Sequence, residues 1–417
     1  MDADDGVVYS AAAVEPPSGA RAAGGGRRRA IPLAASSLFI ATSVGGLGLV
    51  VQLYLKSLGA STSIIGLVAT LNSAGLLLGS WLWGTVSDFV KRRRLLAGLA
   101  LSLSASIGLL AFLPPMNLVL GTALVRFLFF AGFSAVSVAI ISAASRVDRR
   151  GKNLSYISSA RALGFAAGTI ATGYALEFLG FRTAFAICAV LPLAGLALLM
   201  LLPSENPVRL RDQRSARASV FKSGILDLLF ATMLRQMAIL GTFSLLYVYM
   251  DSIGIGPGVM GAISASNTAT QVLALLLFGW LADRIGRRPI FMLGFALSVL
   301  TPCIFIFAAS AWGMVAGYIT LAFSFSSLYV GATSHIGDRI PHEQHGQMLG
   351  LYESSRGFGG IFGPILAGFT VPLLGFKGMF LLMAGIATLA LIVMLAGGAV
   401  RSRSPKRTRA THTVRNP

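Results

Sequence analysis

Long apolar runs, separated by short polar or glycine-rich stretches, fill the chain from residue 31 to residue 398. A helix needs about 20 apolar residues to cross the hydrocarbon layer of a bilayer, and runs of this length recur along nearly the whole sequence. The pattern predicts an all-α membrane protein with twelve transmembrane helices. The predicted helices are 31–56, 63–86, 95–113, 117–143, 154–179, 181–203, 224–250, 258–282, 289–309, 312–336, 348–373 and 376–398.

Composition agrees with this pattern, since 55% of the residues are hydrophobic and only 12% are charged. In a soluble protein the net charge of +19 would indicate a nucleic-acid partner. Here the basic residues lie in alternate loops and in both tails, whereas the intervening loops hold only Lys56, Arg182 and Lys377. The positive-inside rule therefore predicts a multi-pass protein of the plasma membrane with both termini cytoplasmic. We expect its basic surface to face anionic lipids, not nucleic acid.

An internal repeat divides the chain into two halves. Shifting the sequence by 195 positions, without a gap, superposes many identical residues. They include Ser57, Gly59, Gly66, Asn72, Gly84, Asp88 and Arg161 on Ser252, Gly254, Gly261, Asn267, Gly279, Asp283 and Arg356. Six helices return the chain to the side on which it started, so the two six-helix bundles are predicted to be parallel, pseudo-symmetric repeats.

The repeat and the composition together predict the domain organisation. Its parts are a disordered cytoplasmic N-terminal tail (1–30), an N-terminal six-helix bundle (31–203), a cytoplasmic linker (204–223), a C-terminal six-helix bundle (224–398) and a basic cytoplasmic C-terminal tail (399–417).

The stretch 279–289, with the sequence GWLADRIGRRP, resembles the signature loop of the major facilitator superfamily, and 84–93 is a degenerate first-half copy. The resemblance covers about residues 31 to 400 and implies the twelve-helix transporter fold. It further implies that the loop latches one conformation of the transporter, with Asp88 and Asp283 as gate residues. The other gate residues are Gly84, Arg92, Arg93, Gly279, Arg284, Gly286, Arg287 and Arg288.

Small residues recur on helices five and eleven at spacings that allow close helix packing. They are Gly164 and Gly168 in the first half, and Gly359, Gly363 and Pro364 in the second. Exporters of the family often carry a Gly-Pro pair in helix five. This chain has Gly168-Thr169 there and Gly-Pro only in helix eleven, which weakens an inference of antiport.

Ionisable residues inside a membrane are costly and are candidates for function. Arg126 and Arg235 break the repeat, so with Gln236 and Glu353 they are the predicted substrate or coupling residues. Two cavity arginines would favour an anionic substrate. Arg161 and Arg356 repeat, and we expect them to form crosswise ion pairs with the two gate aspartates. Glu353 is alternatively a local partner of Arg356, three residues away.

These observations favour a secondary transporter that moves a small solute by alternating access, as an efflux-type permease. Two alternatives remain: an uptake carrier for a small organic anion, and a membrane sensor that binds without transport. We predict no enzyme, because no phosphate-binding loop occurs and the cytoplasmic segments are short. We also predict no cofactor and no metal site, a possible proton as coupling ion, and a monomer.

Overall fold

A computed structural model describes residues 19–145, 147–202, 226–337 and 345–402, and every regular element in these ranges is a helix. The helices are α1 (Gly19–Ser57), α2 (Thr62–Val86), α3 (Arg92–Gly108, continued by the 3₁₀ turn Leu109–Phe112), α4 (Met116–Ala144), α5 (Val147–Leu199), α6 (Leu226–Ser244), α7 (Leu246–Ser252), α8 (Pro257–Ile285), α9 (Arg287–Phe307), α10 (Ala311–Gly337) and α11 (His345–Ser402).

Helix α5 is a hairpin of two arms that meet at Gly180, whose φ of 79° is non-helical. Both arms pack on α1. Along α1, from lower to higher residue numbers, the contacting residues of the first arm rise in number and those of the second arm fall. The two arms are therefore antiparallel. The contacts, in order along α1, are Leu38 with Gly164, Thr42 with Gly168, Ser43 with Cys188 and Tyr54 with Phe185.

Helix α11 repeats this arrangement around Gly375, with φ 68°. Its two arms pack on α6 and α7 in the same antiparallel order. The contacts, in order along the chain, are Met233 with Gly359, Met237 with Gly363, Gly241 with Met383 and Tyr249 with Phe380.

The two hairpins decide the number of membrane crossings. Ten helical segments in the described ranges are long and apolar enough to span a bilayer, and two of these are the hairpins, which cross twice. Counting each hairpin twice is consistent with the twelve predicted crossings, and the predicted all-α membrane fold is confirmed. Helices suit the bilayer because each pairs its own backbone N–H and C=O groups away from water.

The backbone conformation also follows the repeat. Two pairs of glycines with positive φ lie 195 positions apart: Gly59 and Gly254, at 75° and 80°, and Gly180 and Gly375, at 79° and 68°. Only glycine adopts these angles without steric cost, so each pair marks the same turn in both halves.

Close helix contacts hold each hairpin to its own half. A methyl group added at Gly168 would lie 2.0 Å from the carbonyl oxygen of Thr42 on α1. At the equivalent Gly363 it would lie 2.1 Å from that of Met237 on α6. At these two positions the backbones touch directly, which no larger residue permits.

The structure differs from the predicted boundaries at two places. Helix α1 begins at Gly19, so residues 19–30 of the predicted disordered tail are helical, since alanine and arginine are good helix formers. The predicted helix 224–250 is interrupted at Leu245, where φ is −125°. Residues 1–18, 203–225 and 403–417, which hold the rest of the predicted tails and the linker, lie outside the described residues.

We expect Gly168→Ala to lower the stability of the first half by about 1 to 3 kcal/mol, because the new methyl group overpacks a backbone contact. Gly98→Ala is the matched control, since that glycine, on α3, has nothing within 4 Å of the added methyl group. The control should be neutral or slightly stabilising through helix propensity. The measurement is the apparent melting temperature in detergent. Equal melting temperatures for the two variants would show that the contact of Gly168 with α1 does not stabilise the first half.

Candidate functional site

The bundle has two chemically different ends. The basic end carries residues 87–94 and 283–288, and the opposite end carries Lys56 and Asp251. The first half consists of α1 to α5 and the second half of α6 to α11. Contacts between the halves concentrate towards the opposite end, whereas a cavity lies between them towards the basic end.

Two seams join the halves towards the opposite end, and one is the repeat image of the other. In the first seam, a methyl group at Gly66 of α2 would lie 2.5 Å from the carbonyl oxygen of Pro364 on α11. In the second, a methyl group at Gly261 of α8 would lie 2.2 Å from that of Thr169 on α5. Both pairs lie at the same two repeat positions, so the interface has pseudo-twofold symmetry.

An ion pair between Lys56 and Asp251 spans the two halves at this end. Its residues are 195 positions apart, so each occupies the other's place in the repeat. The pair therefore lies across the pseudo-twofold axis, and its side chains are 38% and 39% exposed. Sequence reasoning missed this pair. The sequence feature that could have revealed it is the presence of opposite charges at equivalent positions of the two halves.

The carboxylate of Glu177 also forms a polar contact between the halves. Its Oε2 accepts a hydrogen bond of 2.8 Å from the backbone N–H of Gly258, in the first turn of α8. A carboxylate is favourable there, because the first N–H groups of a helix lack partners and carry partial positive charge. The equivalent position in the second half is Pro372, so Glu177 breaks the repeat and was also missed.

A cavity of about 460 Å³ lies between α2, α6 and the first arm of α11. It extends from the middle of the bundle towards the basic end. Apolar side chains make most of its wall, with a few polar groups. The principal lining residues are Ser73, Leu76, Leu77, Trp81, Gln236, Leu240, Glu353 and Arg356.

Glu353 and Arg356 form an ion pair inside this cavity. Nη1 of Arg356 donates to both carboxylate oxygens at 3.0 Å, the local pairing that their spacing on one helix suggested. The Glu353 side chain is 61% exposed and that of Arg356 24%. Within this pair the carboxylate is therefore the more exposed of the two charges.

Arg235 points away from the cavity, into the second half. Its Nε donates to Ser298 Oγ on α9 at 3.0 Å, and its Nη2 donates to Ser324 Oγ on α10 at 3.1 Å. Its Nη1 donates to Oε1 of Gln236 at 3.0 Å, so the cavity-lining glutamine is occupied by the arginine behind it. Three neutral partners leave Arg235 anchored within the bundle.

Arg126 lies in a different place, a small cavity inside the first half. Its side chain is 1% exposed, and Nη1 donates to Thr122 Oγ1 on the same helix at 2.5 Å. The two arginines therefore do not share a cavity, and the two-arginine anion site that the sequence suggested is not formed in this conformation.

The predicted gate residues lie at the basic end, mostly with local partners. Oδ1 of Asp88 lies 3.6 Å from Nη2 of the buried Arg92. Arg93 donates a hydrogen bond to the carbonyl oxygen of Met200. The guanidinium of Arg284 lies 4.1 Å from the ring centroid of Trp280. An added methyl group would have no neighbour within 4 Å at Gly84 or Gly279, and Gly286 has a positive φ of 88°. Asp283 and Arg288 are exposed. The side chain of Arg287 lies outside the described residues.

The expected crosswise ion pairs are not formed between these described side chains. Arg161 donates to Ser134 and Arg356 to Glu353, and neither contacts a gate aspartate. The physical reason is that the halves are separated at this end by the 460 Å³ cavity.

Two parallel six-helix repeats, closed on each other at one end and parted at the other, define a membrane transporter fold. The Major Facilitator Superfamily profile matches residues 33–256 and 228–416, and the chain belongs to this superfamily of transporters.

Curated relatives include the multidrug resistance protein MdtG of Proteus mirabilis, 25% identical over 74% of this chain and 79% of that protein. They also include the class E tetracycline resistance protein of Escherichia coli, 27% identical over 36% of this chain and 38% of that protein. Among solved structures, the nucleoside transporter NupG covers 89% of this chain and 99% of its own with a TM-score of 0.72 at 14% identity, and the peptide transporter PepTSo covers 90% and 99% with 0.74 at 12%.

The ion pair at the opposite end leads to a conformational prediction. Lys56→Glu would place two carboxylates together, and we expect the population closed at that end to fall roughly three- to tenfold, as repulsion replaces attraction. The combined Lys56→Asp and Asp251→Lys swap should restore it. The measurement is the distance between spin labels placed on the two halves at that end.

Lys377→Glu is the control for the change in charge alone. Lys377 is an exposed lysine at the same end, and its side chain forms no ion pair with the described residues. It should leave the distance distribution unchanged. If Lys56→Glu gives the same distance distribution as the parent chain, the Lys56–Asp251 pair does not stabilise the conformation closed at this end.

Proposed function

We propose that this transporter is an efflux-type permease that takes a small amphipathic solute from the cytoplasmic side and releases it outside by alternating access. The observation that carries this proposal is the 460 Å³ cavity at the basic end, combined with seams that close the opposite end. The names of the multidrug and tetracycline resistance relatives support export.

Orientation follows from the basic residues. Placing the basic end in the cytoplasm, with both termini, satisfies the positive-inside rule in the plasma membrane. Exposed basic side chains such as Lys91, Arg94 and Arg288 then meet anionic headgroups of the inner leaflet. In this orientation the described conformation is inward-facing, ready to receive a cytoplasmic solute.

The cavity chemistry favours a cationic or neutral solute over an anion. Leu76, Leu77, Trp81 and Leu240 offer an apolar wall, and Glu353 offers the more accessible charge. A cation with an apolar body would gain both contacts, including a cation–π contact with the indole ring. Since Arg235 is anchored by neutral partners and Arg126 lies elsewhere, uptake of an organic anion has weaker support.

Transport then requires the seams to open and the basic end to close. Closure would bring the first arm of α11 towards α2, where Arg356 approaches the loop that holds Asp88. The crosswise pairs of Asp88 with Arg356 and of Asp283 with Arg161 belong to that outward-facing state. A carboxylate in the cavity also offers a place for a coupling proton, at Glu353.

We expect Glu353→Gln to lower export of a cationic dye about tenfold, because it removes the carboxylate and leaves the positive charge of Arg356 without its partner beside the solute. Export of an uncharged dye should stay within about twofold, since such a dye makes no charge contact with either side chain. The measurement is dye flux in proteoliposomes with a defined orientation. Ser354→Ala is the matched control, since it is a neighbouring cavity residue whose hydroxyl donates to its own helix at Gly350.

Two outcomes would contradict the proposal. Equal loss for both dyes would show that Glu353 acts on the conformational cycle and not on substrate charge. Saturable binding without flux for every solute tested would favour the sensor alternative over transport.

A further inference from the structure

The small cavity around Arg126 is distinct from the large one. It has a volume of about 40 Å³ and lies between α1, α2 and α4. No residue lines both cavities. The two cavities therefore have different walls, and Arg126 lines only the small one.

Three buried polar atoms around this cavity form no hydrogen bond. They are Nε of Arg126, Oε1 of Gln52 and Oδ1 of Asn72. The other lining residues are apolar or glycine, and they include Leu47, Val51, Val68 and Phe127. No carboxylate lies among them, so the charge of Arg126 has no counter-ion in the cavity wall. A buried charge without a partner is strongly unfavourable in a membrane.

The second half shows that this arrangement is specific. The positions equivalent to Gln52, Asn72 and Arg126 are Tyr247, Asn267 and Leu321. The tyrosine hydroxyl bonds to Ser264 at 2.9 Å, and the Asn267 amide donates to the Tyr318 carbonyl oxygen at 2.9 Å. Where the cation is absent, the polar groups at these positions are satisfied within the protein.

We propose that the cavity binds one small monovalent anion of about the size of chloride. Arg126 supplies charge and its Nε–H, and the carboxamides of Gln52 and Asn72 supply N–H donors. Each amide reaches this state by a half-turn, which exchanges its oxygen and nitrogen at constant volume. Three N–H donors then surround an anion that neutralises the guanidinium.

Cavity size restricts the ligand. A water molecule needs roughly 10 to 15 Å³ of cavity volume. A cavity of about 40 Å³ therefore holds a halide with one or two waters, but no organic acid of several carbons. The anion is therefore a bound partner distinct from a transported solute.

The test uses the purified full-length protein in detergent, with potassium chloride exchanged for potassium gluconate at constant ionic strength. Chloride should raise the apparent melting temperature saturably, by about 2 to 5 °C, because only the folded state binds it. Bromide should act like chloride, and gluconate should not act, because it is too large for the cavity.

Variants assign the effect to the cavity. Arg126→Leu should abolish the chloride shift, and Gln52→Leu, which keeps the charge, should raise the half-saturating chloride concentration about tenfold through loss of one donor. Arg161→Gln is the control, since that membrane arginine bonds to Ser134 and does not line the cavity. It should keep the full shift.

Identical melting temperatures of the parent chain in chloride and gluconate would overturn the proposal and leave the cavity to water. A chloride shift that survives both Arg126→Leu and Gln52→Leu would place the anion elsewhere. If Arg126→Leu fails to fold, the Gln52→Leu titration and the parent comparison still decide the matter.

Discussion

Direct contact between helix backbones at glycine is the interaction on which this structure depends. Lipid tails are as apolar as leucine, so helices in a bilayer gain from close packing and not from removal of water. The first arm of α5 uses this contact twice. Gly168 fixes the arm to α1 of its own half, and Gly173, five residues later, meets Pro257 of α8 in the other half. One helix thus carries a lasting contact and a releasable one, and this allows each half to move as a rigid body.

The repeat distinguishes the contacts that join and shape the two halves from the charged residues that occur in one half alone. Seam glycines, the four turn glycines and the Lys56–Asp251 pair all obey the shift of 195 positions. An ion pair between equivalent positions requires both residues to lie near the axis that relates the two halves. Glu353, Arg126 and Glu177 break the repeat, and each contributes a polar contact that its counterpart lacks. The contacts that join the halves are therefore largely symmetric, and the charged groups that break the repeat are added to this symmetric frame.

Sequence reasoning predicted the features that depend on periodicity. The apolar runs predicted the helices, and the spacing of Glu353 and Arg356 on one helical face suggested their local pairing as one of two roles for Glu353. It did not predict which way Arg235 points. Successive residues on a helix differ by about 100°, so Arg235 and Gln236 face different surroundings, and only packing decides which of them lines the cavity. Glu177 was missed because its partner is a backbone N–H group, which no sequence pattern reveals.

The placement of charge also explains how the halves can move at low cost. The partners of Arg235 come from α6, α9 and α10 of the same half, and that of Arg126 comes from its own helix. Rocking of one half against the other therefore leaves these contacts intact. Asp88 with Arg92 and Glu353 with Arg356 likewise lie within one half. The Lys56–Asp251 pair does cross the halves, but its side chains are over one-third exposed. Breaking it returns both ions to water, where an exposed pair is worth about 1 kcal/mol or less. A crossing pair at the depth of Arg126 would instead leave an unpaired ion in the membrane at each turn of the cycle.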